Sequence, residues 1–516
     1  MAEITKDTYS SRSSIGRAVF LPFIALVIFT YFFGLTIPLL GPDEPRYAQV
    51  AREMFERGDW VTPTLGGFPW FEKPALLYWV EIISYKLFGV SEFSARFGSA
   101  VFGLATILFL WILGSKWTTK SAEDNEPNND LPKWLVLASA STLGLLVFAR
   151  GASFDMILTF PITAALVSFF VASIARTRSF RAYYLPLGSF YFFVGISLIA
   201  KGLVGIVFPF AIVAFYFVLL WRFPSKELIF SFFWGAVIWI GIAAVWYVPV
   251  YLQNGYRFID EFIIQHHFQR YTSNRYQHPQ PFYFFLWVLP LMTLPWLPFF
   301  FAAIWSLVRT LLSRRKSIQT QTNKPLPRTF SLSHLQLFAI AWLLVPLVFF
   351  SFSGSKLPGY ILPAVPAAVI LTAEFISRFT SSRPIWRELL IAGAFTTVIA
   401  VSLLIQFVAP TIADADSVRS LIAATGPSTD KIFCLHTLSH NAEFYGAGRL
   451  IRNSDGTQRR FNSVQEIVDE MKRAGLSESL VLMPIAYIKE MPVYNMIEAT
   501  PIKDNGELAI VRFTLK

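Results

Sequence analysis

"GPDEPRYAQVAREMFERGDW" occupies residues 41–60, directly after a run from Ala18 to Leu40 that contains no charged residue. A helix needs about 20 apolar residues to cross a bilayer, so the preceding run is long enough to span. The stretch that follows carries Asp43, Glu44, Arg46, Arg52, Glu53, Glu56, Arg57 and Asp59. From Pro45 onward, Tyr47, Val50, Ala51, Met54 and Phe55 recur at helical spacing, with Arg46, Gln49, Arg52, Glu53, Glu56 and Arg57 on the other side. That pattern predicts an amphipathic helix lying in the membrane interface rather than crossing it. Pro45 suits a first helical turn, and Asp43 and Glu44 suit the positive end of the helix dipole. The acidic pair therefore has two readings, helix capping and chemistry. Each residue of the pair can take a different one.

The rest of the chain repeats the alternation of apolar run and charged joint. Of its 516 residues, 54% are hydrophobic, 17% aromatic and 15% charged. Soluble domains carry about 25% charged residues, so this composition points to a polytopic membrane protein. Apolar runs fall at 18–40, 93–115, 134–150, 155–175, 183–200, 203–220, 228–252, 282–308, 333–352, 360–377 and 388–409. The polar N-terminal residues before the first run predict an uncleaved signal anchor, because the run is too long for a signal peptide.

The net charge of +11 does not indicate nucleic-acid binding, because every second loop holds the cations. Arg12 and Arg17, Lys116, Lys120 and Lys133, Arg176, Arg178 and Arg181, Arg222 and Lys226 fall on one set of joints. Arg309 to Arg328 and Arg378 to Arg387 continue it. By the positive-inside rule these joints are cytoplasmic, facing anionic lipid headgroups. The opposite face, expected to be external, carries 41–92, 150–154, 200–202, 253–281, 353–359 and everything after about 410. A single cysteine, Cys434, excludes an internal disulfide.

Beyond 410 the pattern changes. "SVQEIVDEMKRAG" reads as a helix with Val464, Ile467, Val468 and Met471 on one face, and "DADSVRSLIAATG" reads as another. "KIFCLHTL", "SLVLMPIAY" and "LAIVRFTLK" read as strands, predicting a small α/β domain. His436 and His440 are read as structural.

Several ionisable residues of the external face sit inside or beside apolar runs. Glu72 and Lys73 are embedded in "GGFPWFEKPALLYW", where a desolvated cation suits a phosphate. Asp155 opens a span with Arg150 five residues before it; the bland reading is a mutual ion pair, the sharper one a functional carboxylate. Lys201 in "LIAKGLVG" has no carboxylate close in sequence. His266, His267 and His278 share a loop with Arg257, Arg270 and Arg275, at spacings that match no zinc motif. Lys356 lies in "FSFSGSKLPGYILPAVP", an interruption tolerated at membrane depth only where protein or a water-filled cavity surrounds it. Cations from several external segments suggest a lipid-linked phosphate. Carboxylates suggest sugar hydroxyls, amines or a divalent cation.

"GPDEPRYAQVAREM", "FEKPALLYW", "FDMIL", "AKGLVG", "HHFQRY", "LPWLPF" and "SKLPGYILPAVP", in chain order from about 41 to 366, resemble the bacterial lipid A aminoarabinose transferases. More broadly, they resemble the polyprenyl-phosphate-sugar glycosyltransferases related to protein O-mannosyltransferases. The resemblance implies the glycosyltransferase-C fold: an all-α polytopic membrane bundle of about 11–13 transmembrane helices, with interfacial helices and a small C-terminal α/β external domain. The expected division is 1–410 for the membrane domain, including the first external loop 41–92, and 411–516 for the external domain.

It further implies an undecaprenyl-phosphate-linked sugar donor, with 4-amino-4-deoxy-L-arabinose the expected sugar. Lipid A or a related glycolipid is the implied acceptor, and the implied location is the bacterial inner membrane with the site facing the periplasm. Carried over by motif, Asp43 and Asp155 are the catalytic carboxylates, Asp43 the one nearest the reacting sugar and Asp155 the second of the motif set. Lys73 and Arg270 hold the donor phosphate, supported by Arg46, Lys201, Lys356 and Tyr360. Glu72 and His266 correspond to a divalent-metal position, and no organic cofactor is expected. Related enzymes with another sugar or acceptor remain an alternative. A transporter is disfavoured, because transporters place charges near the midplane of repeated halves.

Overall fold

The computed structural model describes residues 15–123, 130–269, 279–320, 332–488 and 496–516. Each of the eleven expected spans falls on a helix or on a pair of helices. Among the described residues, seven helices are long and apolar enough to cross a membrane: Glu92–Thr119, Phe154–Ser173, Phe180–Lys201, Lys226–His266, His334–Ser351, Pro358–Thr380 and Pro384–Phe407. Phe284–Met292 and Leu297–Leu312, bent by 117° at their joint, make an eighth if taken together. Arg17–Phe32 and Val204–Leu220 are apolar but shorter.

The expected count of about 11–13 is thus not reached by length and composition, and the shortfall has local causes. The expected 134–150 span divides into Leu131–Ser141 and Leu143–Phe148. Thr142 between them is extended, its hydroxyl bonds back to the Ala138 carbonyl at 2.7 Å, and the Leu143 N–H donates to Leu294 O at 2.8 Å. The first helix stops at Phe32, well before the apolar run ends at Leu40.

The described residues form two compact units that interleave along the chain. Within the described residues, one falls in 15–33, 99–150 and 154–401, and the other in 34–98, 151–153 and 402–516. A single cut near residue 410 does not divide the chain this way, because residues 34–98 group with the C-terminal segment.

The first unit is the helical bundle. Its interior is aromatic: Trp134, Trp246 and Trp342 are fully buried, and Phe338 packs against Phe169, Phe170 and Tyr216. Two of its buried indoles are satisfied locally, whereas the Trp134 indole and the Tyr31 and Thr163 hydroxyls have no hydrogen-bond partner among the described residues. The Trp342 indole N–H donates to Pro363 O at 2.7 Å, and the Trp296 indole to Ser141 Oγ at 3.0 Å.

The second unit holds a five-stranded sheet, in the order Arg460–Phe461, Ile432–Leu435, Glu478–Pro484, Leu508–Leu515, Ile497–Asp504. Its first two pairings are parallel and its last two antiparallel. Strand pleating sends alternate residues to opposite faces. Phe433, Leu435, Val481 and Met483 meet Val464, Ile467, Val468 and Met471 of the Val464–Arg473 helix. Ile432, Cys434, Leu480 and Leu482 meet Val418, Leu421 and Ile422 on the other face. The α/β reading and the buried helix face match expectation. "DADSVRSLIAATG" differs, being split between helices Ala409–Asp416 and Arg419–Ala424.

The same unit contains helix Asp43–Arg57, a tight hairpin pairing Thr64–Leu65 with Phe68–Pro69, and helix Leu76–Phe88. The C-terminal segment grips these elements. The Tyr445 hydroxyl accepts from the Leu39 N–H at 2.9 Å and donates to Glu92 at 3.1 Å. Arg452 pairs with the buried Glu443 and lies flush against Gly66, where any side chain would overlap its guanidinium.

Candidate active site

The first loop forms the predicted amphipathic helix, with Pro45, Tyr47, Val50, Ala51 and Met54 buried. It ends on Gly58, whose φ of 67° is the left-handed conformation that glycine adopts at helix ends. Its acidic pair splits. Glu44 accepts from Arg96 at 2.6 and 3.2 Å and from the N–H groups of Leu40 and Ala152, both at 2.8 Å. Arg96, 2% exposed, places its remaining N–H groups on the carbonyls of Leu35, Ile37 and Pro38. All five guanidinium donors are thus satisfied. Glu44 is a structural anchor.

Asp43 is different. Its side chain is 49% exposed, and it pairs with Arg46 one turn along. The Arg46 guanidinium stands 5.9 Å from the centre of the Trp70 ring. Burial disfavours the Arg46 charge, but the carboxylates of Glu72 and Asp43 outweigh it and hold its pKa above the ordinary value. Lys73 donates to Glu72 at 3.1 Å, with both side chains nearly buried. Asp43, Arg46, Glu72 and Lys73 are therefore one electrostatic cluster. Tyr47 and Tyr78 lie beside it, their phenols kept protonated by burial and then by the Glu72 charge.

What positions the Glu72–Lys73 segment was not legible as a site. Glu53, read as one of the polar-face residues, accepts from Thr64 Oγ1 at 2.7 Å and from the N–H groups of Gly66 and Gly67 at 2.6 and 3.0 Å. Both glycines have positive φ, so the hairpin turn depends on them. The Trp79 indole N–H holds the Trp60 carbonyl at 2.7 Å. Glu81, on Leu76–Phe88, is fully buried, and neither carboxyl oxygen has a hydrogen-bond partner among the described residues. Burial, then the Glu44 charge, raises its pKa well above the ordinary range.

The helical bundle brings together a second set. Lys201, the last residue of Leu185–Lys201, pairs with Asp155 in the first turn of Phe154–Ser173, 46 residues away in sequence. Its ammonium also stands 5.1 Å from the centre of the Tyr360 ring. Gly359 approaches so closely that a Cβ there would overlap the Asp155 carboxylate. Lys356 is 6% exposed and donates to Ser353 O at 2.6 Å and Gln280 O at 3.0 Å. Burial lowers its pKa.

The bland reading of Arg150 and Asp155 as a mutual ion pair gives way to this arrangement. The Arg150 guanidinium instead donates to the carbonyls of Thr30 and Phe33, where the first helix ends. Such exposed end carbonyls are natural partners for a cation.

Arg270 lies outside the described residues. His266 belongs to Ile259–Gln269 in the bundle, whereas Glu72 belongs to the other unit and is engaged by Lys73. Among the described residues, no group of three or more His, Cys, Asp or Glu could hold a metal ion. His436 stacks on Tyr487 at 4.2 Å, consistent with a structural role.

Comparison with known proteins agrees with the motif reading. Residues 18–261 match the family model of dolichyl-phosphate-mannose-protein mannosyltransferases. Among curated proteins, the undecaprenyl phosphate-alpha-4-amino-4-deoxy-L-arabinose arabinosyl transferase of Yersinia enterocolitica is 32% identical over 370 residues, 70% of this chain and 59% of that protein. The protein of the same name from Wigglesworthia glossinidia brevipalpis is 29% identical over 358 residues, 69% of this chain and 58% of that protein. The matches span roughly three fifths of these relatives' length. Among solved structures, ArnT from Cupriavidus metallidurans bound to undecaprenyl phosphate superposes with a TM-score of 0.75 at 22% identity, covering 96% of this chain and 98% of that one. The fold is therefore the one that the motifs implied.

Proposed function

From this kinship with the undecaprenyl-phosphate aminoarabinose transferases, we propose that the chain is an integral-membrane glycosyltransferase of the inner membrane. It takes a sugar from undecaprenyl phosphate, 4-amino-4-deoxy-L-arabinose being the best candidate, and passes it to a phosphate of lipid A. The observation that carries the proposal is the first-loop cluster. Asp43 is accessible and held by Arg46, beside a nearly buried Lys73, while Glu44 is fully engaged elsewhere.

The chemistry asked of these groups is modest. A polyprenyl phosphate already leaves well, so the requirement is cations that hold the negative charge developing on it. Lys73 and Arg46 supply them. A single in-line displacement inverts the anomeric centre, forming the new glycosidic bond as the bond to the polyprenyl phosphate breaks. A phosphate acceptor is already anionic; Asp43 then orients the donor sugar or binds its amine. A hydroxyl acceptor would need a base, which Asp43 can be. Asp155 is the second catalytic carboxylate, Lys201, Lys356 and Tyr360 take supporting roles, and the positive-inside rule favours a periplasmic position for their end of the bundle.

Mass spectrometry of lipid A from a deletion strain tests the acceptor, with wild-type or Asp43→Ala protein returned. Loss of a pentosamine-sized addition, restored only by the wild type, supports lipid A. Unchanged lipid A in cells that hold the donor overturns it and directs attention to core saccharide, surface glycan or protein.

A further inference from the structure

At the end of the bundle opposite Asp155 and Lys201 lies a cavity of about 220 Å³. The Phe154–Ser173 helix separates the two ends: Asp155 opens it, and Ser173 at its other end lines the cavity. At 1.5 Å per residue that places them about 27 Å apart, so the cavity is not part of the site already described.

Its walls are of two kinds. Phe169, Tyr183 and Tyr216 give an aromatic lining, whereas Arg178, Arg222 and His334 bring cationic or protonatable groups. The Arg178 guanidinium lies 4.0 Å from the centre of the Tyr183 ring, and the Tyr216 hydroxyl is 3.0 Å from His334 Nδ1. No aspartate or glutamate is among the lining residues. Phe223 lines its mouth and is 97% exposed, and the neighbouring Trp221 is 93% exposed. Aromatic side chains at the end of a span mark the depth of lipid headgroups. The cavity therefore opens where a membrane lipid can reach it. Its volume falls below the range of about 300–1,000 Å³ typical of pockets that enclose a whole drug-sized molecule.

The geometry points to a binding site for the headgroup of an anionic phospholipid. Its phosphate lies between Arg178 and Arg222, and its chains leave past Phe223 into the bilayer. Basic pockets between membrane helices recognise lipids in this way. The aromatic lining disfavours a free anion as occupant, because it offers apolar surface that only an amphiphile would cover.

The full-length protein in nanodiscs tests this by thermal denaturation, with phosphatidylcholine alone against phosphatidylcholine mixed with phosphatidylglycerol. Phosphatidylglycerol raises the Tm of the wild type, and the double variant Arg178→Gln/Arg222→Gln loses most of that rise while keeping its Tm in phosphatidylcholine. Arg383→Gln/Arg387→Gln, on a basic joint that does not line the cavity, keeps the rise. The proposal is overturned if the cavity variant keeps the rise, or if the control variant loses it equally. It is also overturned if inorganic phosphate in phosphatidylcholine discs raises the Tm as much. If the cavity variant does not fold, native mass spectrometry of Arg178→Lys protein decides: retained phosphatidylglycerol supports the site, and wild-type protein that carries none overturns it.

Discussion

Glu44 and Arg96, 52 residues apart, form a two-pronged ion pair at 2.6 and 3.2 Å in which every donor of the arginine is used. One residue earlier, Asp43 faces outward with half of its side chain exposed. Adjacent carboxylates thus do unlike work. Removing one partner of a buried pair costs about 3–5 kcal/mol, because the other charge is stranded. Glu44→Gln is therefore expected to lower the thermal stability of the detergent-solubilised protein sharply. Asp43→Asn, at an exposed pair worth about 0–1 kcal/mol, should leave stability nearly unchanged.

Lys73 is expected to govern donor binding. A hydrogen bond to a charged group contributes about 1.5–3 kcal/mol, and each 1.4 kcal/mol is about tenfold in affinity. Lys73→Met should raise the KM for the polyprenyl-linked donor by about 10–100-fold. A KM within threefold of wild type, where twofold to threefold is roughly the context-dependent scatter of such contributions, would remove Lys73 from the phosphate site.

Asp155 and Lys201 should behave as one unit. Groups in contact lose stability non-additively, with coupling of about 0.5–3 kcal/mol. Asp155→Asn with Lys201→Met is thus expected to cost less than the two single changes summed. Gly359→Ala should mimic the loss of the pair, since the added methyl displaces the Asp155 carboxylate and overpacking costs about 1–3 kcal/mol. Thermal melts of the four variants read both effects.

Glu81 makes stability depend on pH. Its folded pKa is raised by burial and by the Glu44 charge. Between the ordinary carboxyl range and that raised value, the folded state binds the proton that the unfolded state has released. Stability therefore falls as pH rises across this window, by up to about 1.4 kcal/mol per pH unit. Glu81→Gln removes the titration, so it should stabilise the protein at neutral pH and flatten the pH profile. A wild-type profile no steeper than that of Glu81→Gln would contradict this account.

The span positions were legible because apolar runs of about 20 residues have one stable solution in lipid. The breaks at Thr142 and between Met292 and Leu297 were not, since they depend on partners distant in sequence, such as Leu294 for Leu143. The helix at 464–473 was legible from its apolar face, whereas strand Ile497–Asp504 carries too many polar and charged side chains to announce itself. At the candidate site, residue types and motif order gave Asp43, Glu72, Lys73, Asp155 and Lys201. Their partners did not follow. Arg96 stands at the start of the apolar run 93–115 with nothing in sequence to point to Glu44, and Lys201 has no carboxylate nearby in sequence because its partner lies 46 residues away. Glu53 reads as an ordinary polar-face residue and Glu81 carries no signal in the sequence, since only the fold shows one holding two glycine N–H groups and the other fully buried.

The measurement closest to the central claim is turnover by purified Asp43→Asn protein, with undecaprenyl-phosphate aminoarabinose and lipid A, at a matched amount of folded enzyme. The account predicts a fall in kcat of about 10²-fold, the scale of losing a group that positions the donor sugar for attack by an acceptor that is already anionic, with Tm close to wild type. Near-normal turnover would contradict a chemical role for Asp43 and reduce the pair at residues 43 and 44 to helix structure.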